Sequence, residues 1–189
     1  MMVSLLPPLM MERSTLDNVP NVCLPTGYIL RCYHDGDAPG LVRLYQSAGV
    51  GPETEELFNR NVLGDGVFSA ERILMVVRQG RTVAAATAWV CPDLPGRACL
   101  LNMAVAPDYR GMRLGAALAV ATLRHARREG FVVQTLQTED WRESALRLYI
   151  GLGYRPVHTH ESHPGRWLRV VEQIGSPQVL MRARVECLC

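Results

Sequence analysis

The chain lacks an apolar run long enough to span a bilayer, which needs about 20 consecutive residues. Its apolar start, Met1 to Met11, is cut by Pro7 and Pro8 and carries no basic residue ahead of the run, so it reads neither as a membrane helix nor as a secretory leader. A strong charge excess is also missing. The formal net charge is +2, too small to argue for nucleic acid or an anionic membrane as partner, and small enough to tolerate an anionic ligand. The six cysteines contain no C-x-x-C pair, so a metal ribbon or dithiol redox site has no support and no metal is expected. Cys32 and Cys99 fall in expected strands, where a free thiol behaves as a small hydrophobe. Cys187 and Cys189 read as two terminal thiols. Together these absences point to a protein of the reducing cytoplasm. No internal repeat or low-complexity linker interrupts the chain.

What is present is an ordinary globular composition: 189 residues, 48% hydrophobic and 20% charged, enough for one domain with a proper core. Residues 1–26 are expected to be a loose N-terminal arm. Tyr28 to Tyr33 alternates as a strand. Leu41 to Tyr45 reads as a short helix with Asp37 in its N-cap region, and 52–61 as a second helix with acids in its first turn. Arg72 to Gly80 and Arg81 to Val90 read as a hairpin turned at Gln79 and Gly80. Helix 114–129, closed by Gly130, strand 131–137, strand 154–161 and a short amphipathic segment over 165–174 follow. Gln178 to Val185 reads as a last strand, or as an arm reaching a second copy of the chain in a homodimer.

The informative stretch is 98–117. An apolar run of strand length, Ala98 to Ala106, ends at Pro107 and Asp108. Arg110, Gly111, Met112, Arg113, Leu114 and Gly115 then lead into a helix rich in alanine. A strand passing through a basic, glycine-bearing loop into a helix N-terminus is an anion site by construction, because the free N–H groups of the first turn and the helix dipole face the same point. Arg110 and Arg113 add guanidinium groups suited to phosphate oxygens. No Gly-Lys-Ser/Thr follows the loop, which argues against nucleotide hydrolysis.

Val105 to Ala117 resembles the acyl-CoA-binding motif of the GNAT superfamily of N-acetyltransferases, Arg/Gln-x-x-Gly-x-Gly/Ala. Arg110 and Gly115 match its outer positions, and Arg113 stands at its central glycine. A second block, 138–157, is similar to the family's C-terminal Ala-x-x-Leu-Tyr-x-x-x-Gly-Phe/Tyr motif through Ala145, Leu148, Tyr149, Gly153 and Tyr154. Arg142 stands where an asparagine is common. The resemblance covers roughly 27–160.

It implies an α/β fold with a single mixed, mostly antiparallel central sheet and flanking helices. The implied organisation is a GNAT-like domain over 27–175 and a C-terminal strand or tail over 176–189. It also implies acetyl-CoA as co-substrate and direct transfer to a primary amine, on a small molecule or a protein, in a ternary complex. The pantetheine arm would pair with strand backbone at Met103, Ala104 and Val105, and the pyrophosphate would lie on Arg110, Gly111, Met112, Arg113, Leu114, Gly115 and Ala116. Tyr149 would be the general acid at the coenzyme sulfur, or else a core tyrosine.

The strand position where many relatives carry a glutamate is occupied by Asn102 or its neighbours, so the base must be sought elsewhere. Glu139 could act through a water, as could Asp140; both could equally cap the following helix. His158, His160 and His163 read as solvated strand histidines. A non-catalytic acyl-CoA sensor or interaction module is the competing reading.

Overall fold

A computed structural model describes residues 6–90, 95–176 and 184–185. The order of elements is β1 (Leu9–Arg13), β2 (Ile29–Cys32), α1 (Ala38–Ala48), α2 (Glu55–Phe58), β3 (Ile73–Arg78), β4 (Arg81–Val90), β5 (Arg97–Val105), α3 (Leu114–Arg128), β6 (Val133–Thr138), α4 (Glu143–Gly151), β7 (Arg155–His158), α5 (His163–Gln173) and β8 (Arg184–Val185). The fold class is α/β, with a mixed, mostly antiparallel sheet and flanking helices, as expected. The chain divides into two units. One is Leu16–Val132; the other joins the segment before it to the segment after it. Among the described residues, no helix is long and apolar enough to cross a membrane.

In the Leu16–Val132 unit, β2, β3, β4 and β5 pair in that order, antiparallel throughout. Gln79 and Gly80 both take positive φ (48° and 75°), as a two-residue turn between β3 and β4 requires. Ile73 and Met75 of β3 join Leu41, Tyr45 and Phe58 in one buried cluster, while α3 packs on β3, β4 and β5. Val83, Ala84, Ala85 and Ala86 of β4 are all but inaccessible. Their small side chains suit a strand with helices close by.

Asp37 stands at the N-cap of α1 but does not cap it. Its carboxylate is held by the Arg31 guanidinium at 2.6 and 2.7 Å and by the His34 N–H. The second expected helix is short: Thr54 caps it by accepting from the Leu57 N–H, and a single wider turn over 59–63 follows.

The other unit corrects the expectation of a loose arm. Leu9–Arg13 is a strand that pairs antiparallel with β6 on one side and β7 on the other, Met11 standing opposite both Leu136 and Pro156. Leu9 and Met11 are fully buried, and so, nearly, are Glu12 and Arg13. Arg13 donates to the Leu152 carbonyl at the end of α4. Arg166 of α5 donates to the Pro7 carbonyl and grips Asp140. These buried cations hold the segment that follows the proline pair.

The amphipathic segment expected over 165–174 is α5. Of the expected C-terminal strand, Arg184 and Val185 form β8, parallel to β7; the rest of 178–189, with Cys187 and Cys189, lies outside the described residues. Cys99 is disulfide-bonded rather than free, whereas Cys23 and Cys32 are free thiols. Cysteine usage therefore lends no support to a reducing compartment.

Candidate functional site

β5 carries the first feature of the site. Thr87 of β4 stands opposite Leu101 and Ala85 opposite Ala104, so Asn102 and Met103 together face one residue of β4. This is a bulge, and Asn102 holds the left-handed conformation it needs, with φ 48°. Asparagine tolerates that region better than most side chains do. The bulge takes the Met103 region out of regular pairing with β4 and leaves backbone polar groups for another partner.

Beyond Val105 the chain makes one tight turn over Pro107–Tyr109, with the Tyr109 N–H on the Ala106 carbonyl at 2.9 Å and the Arg110 N–H on that of Pro107 at 3.2 Å. Gly111 (φ 78°) and Arg113 (φ 59°) then swing the backbone into α3. Arg113 is the N-cap, but its side chain caps nothing. The Ala117 N–H is bonded to the Arg113 carbonyl, so the N–H groups of Leu114, Gly115 and Ala116 precede the helical ladder. Arg110 and Arg113 are exposed, and among the described residues neither has a carboxylate partner. The loop thus offers three backbone donors, a positive helix end and two unneutralised guanidinium groups, the donor set a pyrophosphate requires.

A brace that the sequence did not reveal holds this loop. The Arg78 guanidinium lies 5.0 Å from the Tyr28 ring centre and 6.0 Å from that of Tyr109, close enough for cation–π attraction. It also donates to the Tyr28 hydroxyl at 3.0 Å, and that hydroxyl donates to the Met112 sulfur at 3.0 Å. Three distant segments meet here with no common motif.

Tyr149 and Glu139 belong to the other unit. Tyr149 is buried on α4, its ring edge-on to Tyr154 at 5.7 Å, and burial pushes its phenol up to about 12. No described protein group hydrogen-bonds its hydroxyl. Tyr154, by contrast, donates to Gln134 and is a core tyrosine.

Glu139 and Asp140 part company. Arg166 grips Asp140 through Nε at 3.0 and 3.1 Å and through Nη2, and that hydrogen bonding holds the carboxyl below its usual range. Neither acid caps α4, whose N-cap is Arg142, stacked on exposed Trp141 at 4.6 Å. Of the histidines, His163 is fully buried and His158 partly so, and burial lowers the pKa of both. Among the described residues, no three His, Cys, Asp or Glu side chains are grouped to hold a metal ion.

Residues 38–154 match the family described as Acetyltransferase (GNAT) family. A mycothiol acetyltransferase of Sanguibacter keddieii is 30% identical over 156 residues, 78% of this chain and 50% of that protein. This chain therefore spans half the length of that relative. Among solved structures, a putative GNAT acetyltransferase of Novosphingobium aromaticivorans is similar at TM-score 0.60 and 25% identity, over 79% of this chain and 60% of that one. The ribosomal-protein-S18-alanine N-acetyltransferase of Escherichia coli is similar at TM-score 0.55 and 26% identity, over 67% and 76%.

Proposed function

The chain belongs to the acetyltransferase (GNAT) family, and from that membership we propose that it is an N-acetyltransferase taking its acetyl group from acetyl-CoA. The loop between β5 and α3 carries this reading: its two arginines lack carboxylate partners, and its free helix N–H groups lie beside them. The β5 bulge at Asn102 and Met103 supports a role for Met103, Ala104 and Val105 in pairing with the pantetheine arm. Arg110 to Ala116 would hold the pyrophosphate.

In the reaction, the lone pair of a primary amine attacks the thioester carbonyl, whose developing oxyanion a strand N–H can stabilise. The C–S bond then breaks, the leaving thiolate takes a proton from Tyr149, and the proton shed by the newly acylated nitrogen restores the Tyr149 phenol, leaving a neutral amide and free thiol. A phenol kept protonated by burial, with no protein partner for its hydroxyl, suits that role. An alkylamine has a pKa near ~10.4 and must shed a proton first. Glu139, through a water, is the proposed acceptor, since Asp140 is committed to Arg166. All 20 basic residues of the chain are arginine, so a product acetylated on lysine must come from another molecule.

Calorimetric titration with acetyl-CoA, CoA and desulfo-CoA, followed by thiol release over a panel of amines, tests this reading. Arg110→Ala should weaken acetyl-CoA binding by about tenfold, the loss of a charge-assisted contact. Tyr149→Phe should lower kcat by about a hundredfold, the usual scale of general acid catalysis, with acetyl-CoA affinity unchanged. Absence of binding by all three coenzymes would overturn the proposal. Tight binding with no turnover on any amine would leave the sensor reading in its place.

A further inference from the structure

A groove of about 740 Å³ runs along the flank of α3 on the side of β2 and β3, within the range of about 300–1,000 Å³ typical of small-molecule sites. It lies wholly in the Leu16–Val132 unit. Its lining is mostly apolar: Leu30 and Leu74 come from the strands, and Ala117, Val120 and Ala121 from the helix; Arg31 of β2 also lines it, its charge neutralised by Asp37 at 2.6 Å. Val22 and Leu24, from the segment before β2, also line it. Arg124 holds the same segment by donating to the Pro20 carbonyl and to the Asn21 side chain. From Ala117 to Arg128 the helix is roughly 16 Å long at 1.5 Å per residue, enough for an extended aliphatic chain.

Polarity is graded along that length. The N-terminal half of the helix contributes only small apolar side chains, while Arg124, Arg127 and Arg128 line the groove at the C-terminal end. Among the described residues, no carboxylate lines it. Arg127 is paired with Asp17 at 3.1 Å, but among the described residues Arg124 and Arg128 have no carboxylate partner. Arg128 lies 3.5 Å from the His125 ring nitrogen, and Glu129 is engaged by Arg72 and His125. Cys32 also lines the groove. The charge of Arg128 acts on its thiol, though burial and Glu71 outweigh it and push the thiol up.

An apolar trough closed at one end by unneutralised guanidinium groups has one complementary occupant. We propose that this groove binds a single-chain anionic amphiphile, a medium-chain aliphatic carboxylate, with its tail on Leu30, Leu74, Val120 and Ala121 and its head at Arg124 and Arg128. This inference does not rest on acetyl transfer, because the groove begins at Ala117 on the α3 flank and uses none of the residues assigned to acetyl-CoA.

The test is calorimetry with octanoate, decanoate and dodecanoate below their micellar range, with dodecyltrimethylammonium as the cationic comparator. Protection of Cys32 from a maleimide is read in parallel by peptide-resolved mass spectrometry. We expect one dodecanoate per chain, affinity rising by up to about fourfold per methylene, Cys32 protected, and acetyl-CoA affinity unchanged. Ala121→Trp, which fills the trough, and Arg128→Glu, which reverses the head site, should each weaken dodecanoate at least about tenfold. Equal binding of the cationic amphiphile, no protection of Cys32, or dodecanoate affinity untouched by both variants would overturn the proposal. So would binding to anionic vesicles with none to monomeric dodecanoate. Should Ala121→Trp fail to fold, Arg128→Glu at the exposed end of the helix still decides it.

Discussion

Arg113 stands where the family motif has glycine, and its φ of 59° shows what that glycine is for. The left-handed conformation costs a residue with a Cβ about 1–2 kcal/mol, and here it is imposed where the chain turns from loop to helix. Arg113→Gly should therefore raise stability by about 1 kcal/mol while weakening acetyl-CoA binding, since it also removes an unpaired guanidinium from the anion loop. Urea unfolding and calorimetry on the same variant check both halves; a variant no more stable than the parent would show that the backbone there is not strained. Gly153, at φ 91° after α4, is the converse case. A Cβ there would meet Arg13 at an unremarkable 3.5 Å, so the cost of Gly153→Ala is conformational, about 1 kcal/mol, measurable by the same denaturation.

Among the elements, β1 has the largest structural consequence for its length. Five residues fill the position between β6 and β7, and both neighbours depend on them for backbone hydrogen bonds. Met11→Asp would put an unpaired carboxylate at a fully buried position, a change costing several kcal/mol. Loss of cooperative unfolding and early proteolysis within 133–176 are the expected results, and native-like resistance there would show that β1 is dispensable.

The hairpin of β3 and β4 and the helix after the loop were legible in sequence, because alternation, a turn pair and a terminal glycine all lie within one window. β1 was not. Glu12 and Arg13 look like surface charges until the partners that bury them are known, and Leu152, which accepts from Arg13, is 139 positions away. The brace of Tyr28, Arg78 and Tyr109 escaped for the same reason. In sequence Asp37 reads as a cap, and Asp140 as a cap or a base acting through water, since capping is a common local use of an aspartate before a helix; Arg31 and Arg166 hold both instead.

For the molecule as a whole, pH dependence follows from its buried titratable groups. Burial lowers the pKa of His158 and His163 below the ordinary histidine value, so the unfolded chain binds their protons first. The stability these neutral rings carry is complete above about pH 6.5 and is lost as pH falls below it toward their depressed folded values. Asp140, held low by Arg166, adds a second decline that begins only near the unfolded carboxylate range, about pH 4. Urea midpoints measured from pH 8 to pH 3 should show both steps, and His163→Gln should flatten the first while leaving the second. A single decline confined to the acid end would refute the histidine contribution.

The sequence by itself determined the family, and it places the donors of the proposed anion loop, because both are written in contiguous residues: a strand, a basic turn and a helix N-terminus within twenty positions, and a second short block further on. Only the tertiary structure decided that Leu9–Arg13 lies inside a sheet, that Asp140 belongs to Arg166, that Arg78 braces the loop, and that α3 borders a groove with a mostly apolar lining and a basic end. Each of these depends on which distant residues meet. Local periodicity records that a side chain will be buried or exposed, and the partner that satisfies its charge or hydrogen bond is chosen only when the chain closes on itself.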